Sequence, residues 1–522
     1  MPEIAPGRRC RPGVVAGGCA LSSGTSQKLS IVRTAEMTEE TGMIGPSKIP
    51  GPEVGGEEIL GALGYKQELN RAVGVLGTLA LVLSDITPTA SLLVIGPVVI
   101  ATAGSGSLLA YLLGCFIAIN VALCMGELGS MFPVAGGLYS IVTRVLGRPL
   151  GFLALLDYIG QAIFLPASVA IGIGVYIQAL TPDIPSNIAA GVVMILVTLL
   201  AVLRINFNAV ITGVFLLIEL IVVAVLALAG FTHLHQPLSI LTNPVMGDGT
   251  AVGLGLVFTA VATAMFSVNG YDSAINFSEE TKGSASHVGQ AVVIAALIGI
   301  GFELIPFIGV VFGAPNLAAF IQSPTPLTDV ARSAFGDTFV NIITYGAILA
   351  IFNASLAITL QFARIVWSSG RDRAWPGPVS DALATVHPQL RSPWVATLLV
   401  GGLATILCLQ SSLVAVVTFT AVLLILLYAL IAISSLVSRV QQKGLPRPWR
   451  MPFWPIPPVI ALVGTGIAIT QQKSTDLIIV GVIIVVGLLY FVAFLQPRKD
   501  RYWNMTTDPA AELARLEAER GG

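Results

Sequence analysis

Charge is what this sequence has least of. Only 11% of its 522 residues are Asp, Glu, Lys or Arg, against about 25% in soluble domains. That scarcity excludes a water-soluble globule. Cysteine is scarce too, and Cys10, Cys19, Cys115, Cys124 and Cys408 show no paired spacing. Three of them fall in apolar runs, where Cys is usually a small buried hydrophobe, so no disulfide framework is expected. Of the four histidines (His233, His235, His287, His387), His233 and His235 are close enough to share a metal, but a solvated loop pair explains them more simply. No metal site, catalytic residue, cofactor or nucleic-acid partner is expected.

What the sequence does hold is apolar length. Hydrophobic residues make up 55% of the chain and the mean hydropathy is +0.87. A lipid bilayer offers no partners to backbone N–H and C=O groups, so such a chain reads as an all-α polytopic membrane protein. A span needs about 20 apolar residues. On that measure twelve transmembrane helices are expected, at 75–103, 106–126, 149–180, 187–204, 208–231, 252–279, 287–313, 338–366, 393–410, 413–437, 455–472 and 476–496.

The segments outside them are polar. Residues 1–57 are rich in Gly, Pro, Ser and Thr, without periodic apolar pattern, and read as a disordered tail. Residues 14–21 imitate a signal peptide only weakly, and Met37 and Met43 are alternative starts to Met1. Residues 58–74 form an amphipathic lead-in, and residues 497–522 a C-terminal tail whose 506–520 stretch has the charge spacing of a short helix. With the N-terminus inside, the inner loops carry Arg144, Arg148, Arg204, Lys282, Arg371, Arg373, Arg391, Arg439, Lys443, Arg447 and Arg450, and the tail Arg498, Lys499 and Arg501. The outer loops carry only Arg332 and Lys473. That asymmetry places both termini in the cytoplasm.

Two spans are flawed, and the flaws match. The first carries SDITPTASLLVIGP (84–97), with Asp85, the hydroxyls of Ser84, Thr87, Thr89 and Ser91, and Pro88 inside the run. Proline removes a backbone donor and costs roughly 3 kcal/mol in a helix interior. At membrane depth such a flaw is tolerated where it is buried in protein or lines a watered cavity. The sixth carries FSVNGYDSAINFSEE (266–280), where Asn269, Gly270, Tyr271, Asp272 and Ser273 interrupt an apolar run. Gly270 permits unusual backbone angles, and Asn and Asp compete for helical hydrogen bonds. Breaks five helices apart, and so oppositely inserted, predict inverted repeats of five helices each, at 75–231 and 252–437, with two more helices at 455–496.

Several blocks in this order resemble the amino acid–polyamine–organocation transporter superfamily. They are GYKQELNRA (64–72), GELGSMFPVAGGLYSIVTRVLG (126–147), FSVNGYDSAINFSEETKG (266–283), ARIVWSSGRDRAWP (363–376) and RSPWVA (391–396). The resemblance runs from about 64 to 496 and implies the leucine-transporter type of inverted-repeat fold, with alternating access around the first and sixth helices. It implies a substrate carboxylate on free N–H groups of the first break, here Thr89, Ala90 and Ser91, beside Thr87. It also implies a substrate amine on carbonyls of the sixth break. The physics agrees, since helix N-termini favour anions and C-termini favour cations. The family's common Gly-Ser-Gly is absent, with Ala90 and Leu92 flanking Ser91; this leaves room for a substrate without an α-carboxylate. Phe266 takes the place of an aromatic gate, and Asp272 that of a proton-sensitive glutamate in an arginine-exchanging relative.

Ionisable groups at membrane depth are costly and are functional candidates by default. Asp85 is a cation or proton site, or else a helix cap or the partner of a neighbouring Arg. Asp157, with Gln161 one turn on, is a coupling group or a partner of a loop Arg. Glu219 stands where relatives often place Lys, and its carboxyl can carry a proton. Asp272 is a gate, proton site or amine contact. Glu279 and Glu280 pair with Lys282 or an inner-loop Arg, and Glu303 is a lesser candidate in the seventh span. Asn353, Ser355 and Thr359 form a patch that supplies ion ligands in sodium-coupled cousins, but such hydroxyls also bond back to their own helix. The surplus of acids points to protons over sodium.

The function expected is a secondary active transporter of an amino acid or related small amine across the plasma membrane, proton-coupled or exchanging. A polyamine, ethanolamine or ω-amino-acid permease of the same fold is the alternative. A membrane-embedded enzyme would need metal or nucleophile clusters in long loops, and a transport-dead sensor a sizeable soluble domain. A channel suits two paired breaks poorly.

Overall fold

The computed structural model describes residues 75–203, 205–282, 285–503 and 505 of the chain. The tail 1–57, the lead-in 58–74, Arg204 and the 506–520 stretch lie outside the described residues. Among the described residues there is no strand, only an isolated bridge between Val245 and Ala251.

Helix is the outcome wherever the sequence is continuously apolar. Seven stretches are long and apolar enough to cross a membrane by length and composition: Gly77–Met131, Arg148–Leu180, Gly213–Thr232, Ala285–Gly313, Asp337–Arg371, Leu413–Gln441 and Ser474–Arg498. The first holds both of the first two expected spans. Shorter apolar helices at Ser186–Ala201, Leu254–Ser267, Trp394–Gln410 and Ile456–Thr470 fall on the fourth, sixth, ninth and eleventh. The expected spans and the observed helices therefore correspond in order. The sixth, expected as one run over 252–279, is two helices, Leu254–Ser267 and Ser273–Asn276.

Packing partners recur with an offset of five helices. The first helix packs on the fifth (Ile205–Thr232) as the sixth packs on the tenth (Leu413–Gln441). The third (Arg148–Leu180) packs on the fourth and tenth, as the eighth (Asp337–Arg371) packs on the ninth and fifth. Second with seventh, third with eighth and fourth with ninth are self-matched pairs under the same exchange. This is the five-plus-five inverted repeat, an all-α bundle with the broken helices at its centre.

Each helix divides its faces between lipid and bundle. On the fifth, Val214, Leu217 and Ile221 recur at helical spacing and are more than half exposed, whereas Glu219 is fully buried. The apolar side chains belong in hydrocarbon, and the acid is turned inward because it does not. Short helices also lie outside the spans. Gly137–Leu146 follows the second span and Gly377–Leu383 the eighth. Tyr502 and Trp503, expected in the tail, pack against the bundle: Trp503 is fully buried, donates its indole N–H to the Arg148 carbonyl at 3.1 Å, and its own carbonyl accepts from Arg148 Nε at 3.0 Å.

Candidate functional site

The first break is a consequence of Pro88. A residue before proline is pushed out of the right-handed helical region, and Thr87 adopts φ 57°, ψ 58°. That left-handed geometry is rare for a β-branched residue and stores about 1–3 kcal/mol of strain. The helix Val75–Ile86 ends there; a new one starts at Pro88, passes through a π-helical turn at Ser91–Ile95 and regains α geometry at Gly96–Ala103. Single π turns often mark functional sites.

The second break lies against the first. Leu254–Ser267 stops before Asn269, and Gly270 takes φ 113°. A Cβ on Gly270 would lie 2.6 Å from the carbonyl carbon and oxygen of Asp85 and from the Ile86 nitrogen. Only glycine lets the two interrupted backbones approach this closely. The hydroxyl of Ser91 ties them further, donating to the Ile86 carbonyl at 3.1 Å and the Ser267 carbonyl at 2.6 Å.

Around the breaks stand two pairs of buried carboxyl groups. Asp85 lies beside Asp272 and the Ser273 hydroxyl, yet neither Asp85 oxygen has a hydrogen-bond partner. Asp272 Oδ2 accepts from Gln361 Nε2 at 3.0 Å and from the Tyr158 hydroxyl, while Oδ1 has no partner. Glu219 accepts from the Thr89 backbone N–H at 3.0 Å, and the Thr89 hydroxyl donates to the Glu219 carbonyl at 3.2 Å. Glu303 lies near Glu219 and Ser91; its Oε2 accepts from Ser267 Oγ at 3.1 Å, and the Tyr111 and Ser267 hydroxyls are 2.6 Å apart. One oxygen each of Glu219 and Glu303 has no partner. None of the ion pairs found among the described residues involves these four acids. The arrangement can hold protons or the positive end of a guest.

Other predicted residues join the site to different degrees. Thr87, Thr89, Ala90, Ser91, Gly270 and Ser273 line the joined breaks. Asn269 accepts from the Tyr428 hydroxyl at 2.6 Å. Tyr271 turns toward the second span, donating to the Ala118 carbonyl at 3.3 Å, and Phe266 is buried in the last turn before the break. The eighth helix packs on the first; both amide atoms of Asn353 are buried without a partner. Ser355 faces the fourth helix, its hydroxyl 3.9 Å from Met194 Sδ, and Thr359 bonds back to the Ser355 carbonyl.

Asp157 stands apart. It lines an apolar groove of the third, tenth and twelfth helices, with Leu153, Leu423 and Ile483, and accepts from Gln161 Nε2 at 2.9 Å rather than from a loop Arg. Its neighbour Tyr158 is the residue that reaches the break, accepting from Asn276 Nδ2 at 3.0 Å as it donates to Asp272. The signal was a tyrosine one position from the acid, rotated by about 100° on the helix. Sequence reasoning also missed Ser267, Tyr111 and Gln361. Among the described residues no three His, Cys, Asp or Glu side chains group as a metal site.

At one end of the bundle the acids are paired. Glu280 and Arg364 form a two-bonded pair at 3.1 and 3.2 Å. Glu279 accepts from Arg371 at 2.9–3.0 Å and from the Ala135 N–H at 2.8 Å. Glu127 binds Arg439 at 2.5–2.6 Å, Arg447 at 2.7 Å and the Met451 N–H at 2.9 Å. Neither Glu279 nor Glu280 uses Lys282 for these contacts, and Arg364 belongs to a span rather than a loop.

Comparison with known proteins follows the same helices. The branched-chain amino acid permease BcaP of Bacillus subtilis is 23% identical over 86% of this chain and 97% of its own length. The serine/threonine exchanger SteT of the same organism is 24% identical over 83% of this chain and 98% of its own. The low-affinity putrescine importer PlaP of Escherichia coli is 25% identical over 56% of this chain and 65% of its own. The family profile described as amino acid permease matches residues 73–507. That match takes in the described bundle and both of its breaks, and the chain belongs to the amino acid permease family.

Proposed function

We propose that this permease is a secondary active transporter that carries an amino acid or related small amine across the plasma membrane by alternating access, coupled to protons. The reading is carried by one observation: two helix breaks in backbone contact, flanked by buried carboxyl groups that have unpartnered oxygens and no ion-pair partner among the described residues. Such groups take up a proton or a cationic guest and release it when the surroundings change. The three relatives described above are named for amino acids and for the diamine putrescine, which supports a small amine-bearing solute. The arginine-bridged acids Glu127, Glu279 and Glu280 suit a closed gate at the end that the basic loops place in the cytoplasm. Opening that end requires the fork-shaped pairs to part.

Uptake into proteoliposomes, measured with imposed pH or sodium gradients against a panel of amino acids and amines, tests this. An inward proton gradient is expected to drive accumulation of at least one panel member, with sodium making no difference. Absence of gradient-driven accumulation for every member would overturn the reading.

A further inference from the structure

The start of the third helix and the end of the twelfth meet, and cations gather where they do. The twelfth runs out into QPRKDRYW (496–503). Arg498, Lys499 and Arg501 are exposed, with Asp500 the single acid among them, and Arg498 lies over the Phe494 ring at 4.7 Å. Arg148 is drawn to the same place. Its guanidinium donates to the carbonyls of Trp503 at 3.0 Å and Tyr502 at 3.2 Å, and it lies 5.9 Å from the centre of the Phe491 ring. Asp500 acts on Arg148 through space. None of the ion pairs found among the described residues uses any of these four cations. Arg373 differs: its carbonyl accepts from the Trp503 N–H at 3.1 Å, and its side chain is held by Asp381 at 2.7 Å.

Just beyond Arg148 the apolar groove of the third, tenth and twelfth helices begins. Leu150 and Leu153 form one wall, Leu426 a second, and Ile483 and Ile484 the third. Leu150, at the mouth, is 39% exposed. Asp157 is the one polar side chain in the lining; it lies about 14 Å from Arg148 along the helix axis and is already bonded to Gln161. The site thus has a charged mouth and an apolar depth. Basic pockets between spans bind anionic lipid head groups. A free anion would use the mouth alone and a neutral chain the groove alone; an anionic phospholipid uses both. We propose that this junction seats one anionic phospholipid, its phosphate on Arg148, Arg498, Lys499 and Arg501 and one acyl chain in the groove. The basic loops place this end in the cytoplasm, so the lipid comes from the inner leaflet. The inference is independent of the transport reading.

The unfolding midpoint of the full chain in dodecylmaltoside, followed as lipid is added, tests it. Palmitoyl-oleoyl phosphatidylglycerol is expected to raise the midpoint at a concentration at least about tenfold lower than phosphatidylcholine with the same chains. Dihexanoyl phosphatidylglycerol and inorganic phosphate, which carry the charge without a long chain, should do no better than phosphatidylcholine. Changing Arg498, Lys499 and Arg501 together to Gln, all at exposed positions, should abolish the preference. Lys443→Gln with Arg450→Gln, which removes exposed cations from another basic loop, should keep it. Ile483→Trp, which fills the groove, should abolish it too. Equal action of the two long-chain lipids overturns the proposal, as does a short-chain lipid or phosphate acting as well as the long-chain anion. So does a preference that survives the triple change or falls equally with the double one. If Ile483→Trp does not fold, long-chain against short-chain lipid decides the groove alone. No stabilisation by any lipid also overturns the proposal.

Discussion

The acids at the centre of this bundle and those at its end are equally buried and differently kept. Glu127, Glu279 and Glu280 each meet an arginine; Asp85, Asp272, Glu219 and Glu303 meet hydroxyls, amides, one backbone N–H, or nothing. Burying a charge costs several kcal/mol even after relaxation, and a well-made pair repays most of it. The end acids are therefore satisfied by the protein itself. The central ones have no such partner, which suits the proposed traffic of protons or substrate.

Substitutions can break the contrast on either side. The largest effect is expected from Arg364→Ala, which strands the fully buried Glu280. Unfolding in detergent should show a loss of about 3–5 kcal/mol, and adding Glu280→Gln should restore part of it. If the single variant is as stable as the parent, the end acids are not held by their arginines as argued.

Next comes Gly270→Ala. Its φ of 113° and the 2.6 Å approach to Asp85 predict a cost of about 1–3 kcal/mol from backbone strain alone, with transport lost as the breaks are pushed apart. Near-normal uptake would mean that their contact is dispensable.

Asp272→Asn acts on the central set. It keeps the volume and can still accept from Tyr158, so stability should change little. Proton-driven uptake should fall by about tenfold and lose its pH dependence. An unchanged pH profile would remove Asp272 from the coupling. The smallest effect is expected from Asp157→Asn, out in the apolar groove: uptake within about twofold and stability within about 0.5 kcal/mol. A larger loss of uptake would tie that groove to the transport cycle.

How far these assignments could be read beforehand follows from what each depends on. Spans depend on apolar length, and both breaks on Pro88 and on Asn-Gly inside apolar runs, all of which are local. That the two breaks form a pair followed from their spacing of five helices, but that Asp85 and Asp272 lie side by side was not read from it. Which side of a helix faces the centre is not local where the run is apolar all round, and so Tyr158 was passed over for Asp157. The bond from Thr89 to Glu219 joins residues 130 apart in sequence. The same limit hid Arg364 as Glu280's partner, since loop arginines and a span arginine compete equally until the helices are packed.

The docking of Trp503 bears on how the molecule is made. Its ring stacks on Tyr139 and meets Phe152 edge-on, and its backbone and indole are bonded to Arg148, 355 residues earlier. Proteins emerge from the ribosome N-terminus first, at about 5–20 residues per second. The start of the third helix thus waits for another 355 residues to be made before Trp503 arrives. Phe152 also meets Trp375, Tyr490 and Phe491, and Tyr139 donates to Asp372 at 2.7 Å, so this cluster assembles in steps as the chain lengthens, with Trp503 the last of these partners to arrive.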